Sequence, residues 1–292
     1  MKTIGLVGPG CVGRTFAALL PPDRFKLDAV LASSWISSKR AVRELRRGRA
    51  ARGFEDFADC DWILITTPDE VFPDVGEALL RSSLELDRKI VLHTAGPGNV
   101  GVSAALLEQG AAVGRIYPID LFQRPSGSLA GVPFLIGGDL RALRAARALV
   151  RAFGGEAVRP SEGQGGRAVA AAALLPNALY DLLDLVVDHV AAAGVPRKKA
   201  VAALSQLVDS TVQAYARSSR HVRRETSARI GAHHTAEQQP PLDSNESARA
   251  LSSLLRWTME IHGYDPKKLA ARAARDDDAF GEAEAYARAE AS

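Results

Sequence analysis

The chain has 292 residues, of which 47% are hydrophobic and 24% charged. That excludes a disordered polymer, which is poorer in apolar residues, and leaves room for a large core and two domains. The formal charge of +3 is too small to argue for nucleic acid. The two cysteines, Cys11 and Cys60, form neither a disulfide framework nor a metal-ligand spacing, and no apolar run reaches the ~20 residues that span a bilayer. The N-terminal MKTIGLVGPG runs straight into glycines and does not read as a secretory leader. The expectation is a cytoplasmic protein that binds neither membrane nor nucleic acid.

In chain order, 2-KTIGLV-7 reads as a buried parallel strand ending at glycines. Residues 12–20 read as a helix, 25–33 as a second strand, and 39–52 as a polar helix or loop. The segment 61-DWILITTP-68 is a third strand stopped by Pro68, followed by a helix over 69–81. Strands at 89–96, 113–119 and 133–138 and helices at 102–109 and 139–153 complete an alternating pattern. It predicts a doubly wound parallel sheet with helices on both faces.

Beyond about residue 160 strand signals stop. Residues 166–193 form a long alanine-rich apolar helix, expected to be core with its excess apolar face buried in a homodimer. Residues 196–217 form another helix, 218–246 a basic loop, and 247–261 and 266–290 two more helices. The expected organisation is α/β, with a dinucleotide-binding Rossmann domain over 1–158 and an all-helical substrate and dimerisation domain over 159–292, as in 6-phosphogluconate-dehydrogenase-like proteins.

Two stretches share nearly the same letters, 8-GPGCVG-13 and 96-GPGNVG-101. The first follows the N-terminal strand and opens a helix. Gly8 permits the tight turn, Gly10 lets backbone approach a pyrophosphate, and Gly13 lets the helix pack close to the strand. The N–H groups around Pro9, Cys11 and Val12 then face the anion at the helix start. A NAD-binding protein carries an acid about 20 residues on, at the end of the second strand, to bond the ribose. Here 32-ASSWISSKR-40 has none. Ser33, Ser34, Lys39 and Arg40, backed by Arg43, Arg46, Arg47, Arg49 and Arg52, would attract a 2′-phosphate, so NADP(H) is favoured over NAD; a solvated helix face is the other reading of these arginines. The second turn lacks such a partner segment. It reads as a loop at the carboxyl end of a later strand, with Ala95 and Gly96, like Thr67 and Pro68, near the cofactor.

With these motifs in place the chain resembles the Rossmann-like proteins carrying the DUF2520 domain, relatives of pyrroline-5-carboxylate reductase, 3-hydroxyisobutyrate dehydrogenase and F420-dependent NADP reductase. The resemblance covers roughly residues 1–215 and rests on GPGCVG, 66-TTPDEVF-72, 93-HTAG-96, 114-GRIYPIDLF-122 and Asn177. Where the family tends to read HTSG and HPLQTF, this chain has His93-Thr94-Ala95-Gly96 and 117-YPIDLF-122, so Tyr117 replaces a histidine. Where the family often has Lys and His near the start of the long helix, Arg167 is the only ionisable group between 163 and 177. The resemblance implies the fold and a nicotinamide cofactor.

Three residues are candidates for catalysis. His93, at a strand end on the ligand side, reads as acid, base or ribose contact, or as a histidine bonded to nearby backbone. Tyr117 reads as a proton donor to a developing alkoxide or amine, or as packing. Asn177 lies inside an apolar helix, where a buried amide needs partners; in the related dehydrogenases a helical Asn at the domain junction contacts substrate. Residues 217–234 carry arginines and histidines that either clamp an anion or form a solvated loop; His233-His234 lack companions at ligand spacing, and no metal is expected. Cys11 reads as a small filler rather than a redox sensor. The function expected is NADP-dependent reduction of a C=O or C=N group on a small anionic metabolite. The alternative is a non-catalytic NADP(H)-binding regulator or assembly subunit that has lost its proton donor.

Overall fold

The computed structural model describes residues 1–96, 100–161 and 164–217, the side chains of Val100 and Asn177 apart. The expectations for residues 97–99 and for everything beyond 217 (the basic loop and the last two helices) lie outside them.

The elements are β1 (Lys2–Val7), α1 (Cys11–Leu19), β2 (Phe25–Leu31), α2 (Trp35–Leu45), β3 (Arg49–Ala50), a 3-10 turn (Phe54–Phe57), β4 (Trp62–Ile65), α3 (Phe72–Arg81), β5 (Ile90–His93), α4 (Val100–Glu108), β6 (Ala112–Pro118), β7 (Pro133–Gly138), α5 (Leu140–Ala152), β8 (Glu156–Val158), α6 (Gly165–Ala192) and α7 (Arg197–Arg217). Chain contacts divide the protein into two units, Met1–Asn177 and Ala178–Ser292.

The first unit is built on one eight-stranded sheet, in the order β3-β2-β1-β4-β5-β6-β7-β8. All pairs are parallel but one: β6 and β7 run antiparallel, joined at Ile116 and Ile136. This departs from a purely parallel sheet. Residues 119–132, between β6 and β7, hold no helix, and a return to a parallel neighbour usually runs through one. The short β8 is an edge strand absent from the sequence reading; its three residues are all exposed, so no apolar pattern marks it.

Side-chain alternation splits the strands between two cores, one on each face. Ile4, Leu64, Leu92, Ile116 and Phe134 pack with Phe16 of α1 and Leu149 of α5. Ile63, Ile65, Val91 and Val113 pack on the other face with Phe72 and Leu79 of α3 and Leu106 of α4. β4, which reads Trp-Ile-Leu-Ile, is buried on both faces, as a central parallel strand must be. Helix starts are fixed by capping: the Ser34 hydroxyl accepts from the Ser37 N–H (3.2 Å), and Asp139 accepts from the N–H groups of Arg141 (2.7 Å) and Ala142 (3.1 Å).

α6 differs from its expectation. Its described residues are exposed or half-buried, Leu174 to 66% and Leu175 to 68%, with Val169 and Val187 the exceptions. Among the described residues it is not the core helix expected. By length and composition alone its 28 residues are enough to cross a membrane, which corrects the expectation that no segment reaches that length. Isolated polar residues had broken the run of consecutive apolar letters without lowering its average. In α7 Val201, Leu207, Val212 and Tyr215 are exposed.

Candidate functional site

The sheet order reverses at β1: β2 and β3 lie to one side, β4 and the later strands to the other. In open α/β sheets the crevice beyond the carboxyl ends at such a point holds the ligand. Here it is a cavity of about 550 Å³ lined by Gly8, Pro9, Gly10 and Arg14 after β1, Leu31, Ala32, Ser33, Ser37 and Arg40 after β2, and Thr66, Thr67 and Pro68 after β4. Phe54, Val71, Asp74, Val75 and Ala78 close the apolar side.

The glycine turn meets the steric demands of a phosphate cradle. Gly8 has φ +78°, and a Cβ on it would lie 2.7 Å from Thr67 Cγ2. A Cβ on Gly13 would overlap Thr66 Oγ1 and stand 2.6 Å from the Gly8 carbonyl oxygen. A Cβ on Gly10 would meet no described residue within 4 Å, so of the three fingerprint glycines Gly10 is the one whose backbone faces open space. The turn is fixed from below: the Thr66 hydroxyl donates to the carbonyls of Gly8 (2.7 Å) and Val7 (3.2 Å). Beside it the Thr67 Oγ1 is buried without a hydrogen-bond partner among the described residues. A buried hydroxyl left unpaired is costly, and this one sits in the cavity wall. Cys11 and Val12 begin α1 and do not line the cavity.

Of the basic cluster after β2, Arg40 and Ser33 line the cavity, and Ser34 is taken up as the α2 cap. The Lys39 ammonium lies 5.0 Å from the Trp35 ring centroid, with the Arg52 guanidinium 4.4 Å from the same centroid. Arg47 donates to the carbonyls of Ala17 (2.9 Å) and Leu20 (2.8 Å), and Arg49 pairs with Asp28 and Asp56. The cluster is thus dispersed, and Arg40 is its representative at the cavity. Arg14, paired with Glu44, and Ser37 join it; neither was singled out from sequence, although Arg14 directly follows the fingerprint.

A second group forms behind the cavity. The chain leaves the wall at Thr67-Pro68 and reaches Asp69, whose Oδ1 accepts from the Gly96 N–H (3.0 Å). Ala95 and Gly96 are buried after β5 rather than in the cavity wall. Register pairs His93 with Arg115, and strand alternation puts His93, Arg115 and Tyr117 on one face, that of Val91 and Val113. The Arg115 Nε donates to the Ala95 carbonyl (3.1 Å) and its Nη2 approaches that of Gly96 (3.5 Å).

These groups set one another's protonation. His93 is 4% exposed, its ring centroid 4.7 Å from that of Phe72, and its Nδ1 has no partner among the described residues. Burial, with the Arg115 charge adding to it, pushes its pKa down to about 3, so the imidazole is neutral at ordinary pH. Burial, then the Asp69 charge, raises the Tyr117 hydroxyl above its usual value. Tyr117 therefore keeps its proton and can donate it. Burial lowers Arg115, with Asp69 opposing. Asp69 and Arg115 went unassigned in sequence although both lie in quoted motifs; an acid after TTP and a mid-strand arginine carry no spacing signal. The Asn177 side chain is outside the described residues.

The Rossmann-like domain model matches residues 1–118, and the model of DUF2520, a domain of unknown function, matches 132–248. Among curated proteins no match is found. Solved structures with the same fold include a 1-pyrroline-5-carboxylate reductase from Streptococcus pyogenes (17% identity, 93% of this chain and 98% of that one, TM-score 0.60). A pyrroline carboxylate reductase from Plasmodium falciparum with NADP bound shares 14% identity over 96% of this chain and 98% of that one (TM-score 0.57). A reductive aminase from Aspergillus terreus in complex with NADPH and ethyl-5-oxohexanoate shares 12% over 97% and 94% (TM-score 0.62). At these identities the likeness is one of fold. The chain thus joins a match to a Rossmann-like domain to a match to the DUF2520 domain.

Proposed function

We propose that this protein is an NADP-dependent oxidoreductase that reduces a C=N or C=O group of a small anionic metabolite. The observation that carries the reading is the cavity at the sheet's reversal point, with Gly10 open to it, Thr67 Oγ1 unpaired beside it, and Ser33 and Arg40 where a NAD site holds an acid. The solved structures support the choice, since their proteins are reductases and two hold NADP or NADPH.

The Gly8–Gly13 turn and the start of α1 would hold the pyrophosphate, and Arg40 with Ser33 and Ser37 the 2′-phosphate. When bound, the nicotinamide supplies hydride. Tyr117, held protonated by burial and by Asp69, gives its proton to the nitrogen or oxygen of the reduced bond. His93, neutral and packed on Phe72, orients neighbours and does not act as an imidazolium acid. Asn177 is assigned a substrate contact. The helical part is assigned to closing the site and pairing two copies; the exposed apolar side chains of α7 support that. We place the protein in the cytoplasm. The lack of Lys or His between residues 163 and 177 favours a second reading, a nucleotide-binding regulator without turnover.

The test is a titration of NADPH and NADH into wild type and Gly10→Asp, followed by cofactor absorbance with cyclic imines and keto acids. NADPH should bind at least about tenfold more tightly than NADH, the worth of one charge-assisted contact, and Gly10→Asp should bind neither while melting at the wild-type temperature. Turnover should fall in Tyr117→Phe and Asn177→Ala. If neither nucleotide binds wild type, the reading is wrong; tight binding without turnover on any substrate selects the regulator.

A further inference from the structure

The second polar group contains a cation without an ion pair among the described residues. Arg115 is half-buried, and among the described residues no carboxylate lies within ion-pair distance of its guanidinium. Its Nε and Nη2 are held by the carbonyls of Ala95 and Gly96, which aim the planar fork and leave the Nη1 end without a partner among those residues. Asp69, whose charge reaches Arg115 from beyond ion-pair distance, accepts from the Gly96 N–H. A cation half withdrawn from water without a paired partner is unfavourable, and a fork fixed on two carbonyls is preorganised for a planar acceptor.

Two further features point the same way. α6, 28 residues long, begins beside the free end of the fork: a Cβ on Gly165 would stand 3.5 Å from Arg115 Nη1. A helix start presents unpaired N–H groups and favours negative charge. On the same sheet face the His93 ring is buried beside the Ala95 backbone, its Nδ1 without a close partner among the described residues. All of this lies within the first unit, and Asp69 directly follows the Thr67-Pro68 wall of the cavity in sequence.

We propose that Arg115 is the substrate-anchoring residue, its Nη1 end and the first turn of α6 receiving a carboxylate of the molecule to be reduced. This deepens the proposed function and rests on it for the identity of the ligand as substrate. A monoanion suits the site: one guanidinium faces it, and a phosphate dianion would meet Asp69 as well. The anchor also explains why an arginine occupies a strand position between the buried Gly114 and Ile116. Tyr117, two residues along the same strand and on the same face, then stands beside the anchored molecule as its proton donor.

The experiment is thermal unfolding of the full chain, with and without NADPH, in acetate, benzoate and phosphate titrated against chloride at constant ionic strength. Acetate or benzoate should stabilise wild type saturably. The apparent affinity should fall about tenfold to a hundredfold in Arg115→Gln, the usual worth of a charge-assisted contact, less in Arg115→Lys, and not at all in Arg151→Gln, an exposed arginine of α5. A purely structural Arg115 would lower the melting temperature in every salt equally and leave the carboxylate titration unchanged. The proposal is overturned if no carboxylate stabilises wild type beyond chloride, if Arg115→Gln titrates like wild type, or if phosphate alone acts. Should Arg115→Gln not fold, an Arg115→Lys variant of unaltered affinity overturns it equally. The NADPH arm keeps the two readings apart: stabilisation by carboxylate without any by NADPH leaves the anchor and removes the cofactor reading, and the reverse removes only the anchor.

Discussion

The two turns 8-GPGCVG-13 and 96-GPGNVG-101 differ at a single letter, Cys11 against Asn99, and their glycines do different work. In the first, Gly8 takes a left-handed φ of +78° and Gly13 lies against Thr66 and the Gly8 carbonyl, so the turn is tight, while Gly10 faces open space. In the second, Gly96 is held by Asp69 through its N–H, and Gly101 lies in α4 with nothing within 4 Å of a would-be Cβ. Placement in the sheet separates them. The first follows β1, where strand order reverses and a crevice opens; the second follows β5, between β4 and β6, where the sheet continues in one direction. In open α/β sheets ligands sit in the gap at such a reversal, and the first turn stands beside it.

Alanine in the first turn should break this contrast most strongly. Gly13→Ala drives a methyl group into Thr66 Oγ1 and a backbone carbonyl that cannot retreat. It should destabilise the first unit by about 3 kcal/mol, the upper part of the overpacking range, and weaken NADPH binding as the turn shifts. Denaturant unfolding measures the first effect and titration the second. A Gly13→Ala protein with wild-type stability would mean that helix and strand are not in close contact there.

The pH dependence sharpens the second region. His93 in the folded chain has its pKa lowered from 6.5 to about 3, so between those values the unfolded state binds the extra proton. Stability is present in full above pH 6.5 and is lost as pH falls toward 3, with a slope of up to about 1.4 kcal/mol per pH unit for one proton. Asp56 and Asp61, whose carboxyls are lowered from 3.8 by bonds to neighbouring backbone and side chains, contribute only at the acid end. Melting temperatures between pH 6.5 and 4.5 should fall in wild type and stay much flatter in His93→Gln. Parallel curves would show that His93 is open to water.

How much of this was legible in the letters depends on whether a residue's role is local. β1, the glycine turn and β4 were readable because burial on both faces leaves an unbroken apolar run, and because Gly8 and Gly13 are demanded by contacts within the motif itself. The fate of the basic cluster was not. Arg47 reaches carbonyls 27 and 30 residues away and Arg49 pairs with acids of β2 and of the 3-10 turn, partners that exist only after folding. Arg115 and Asp69 were silent for the same reason: each acts on the Ala95–Gly96 segment across strands. The antiparallel β7 escaped too, because alternation shows which face a residue occupies and says nothing about strand direction.

The smallest expected effect is also the cleanest comparison of the two turns. Gly101→Ala replaces the last glycine of the second motif, as Gly13→Ala does in the first. The position has a helical backbone and no described neighbour within 4 Å of the added Cβ. Nothing must move, and the unfolded chain loses freedom, so the substitution should stabilise by about 0.5–1 kcal/mol. One glycine-to-alanine change at equivalent places in two nearly identical hexapeptides should thus raise stability in one turn and lower it in the other, as read by denaturant midpoints at unchanged slope. If both lowered it alike, the second turn would be as tightly packed as the first, and the assignment of a single cofactor cradle to the chain would lose its steric basis.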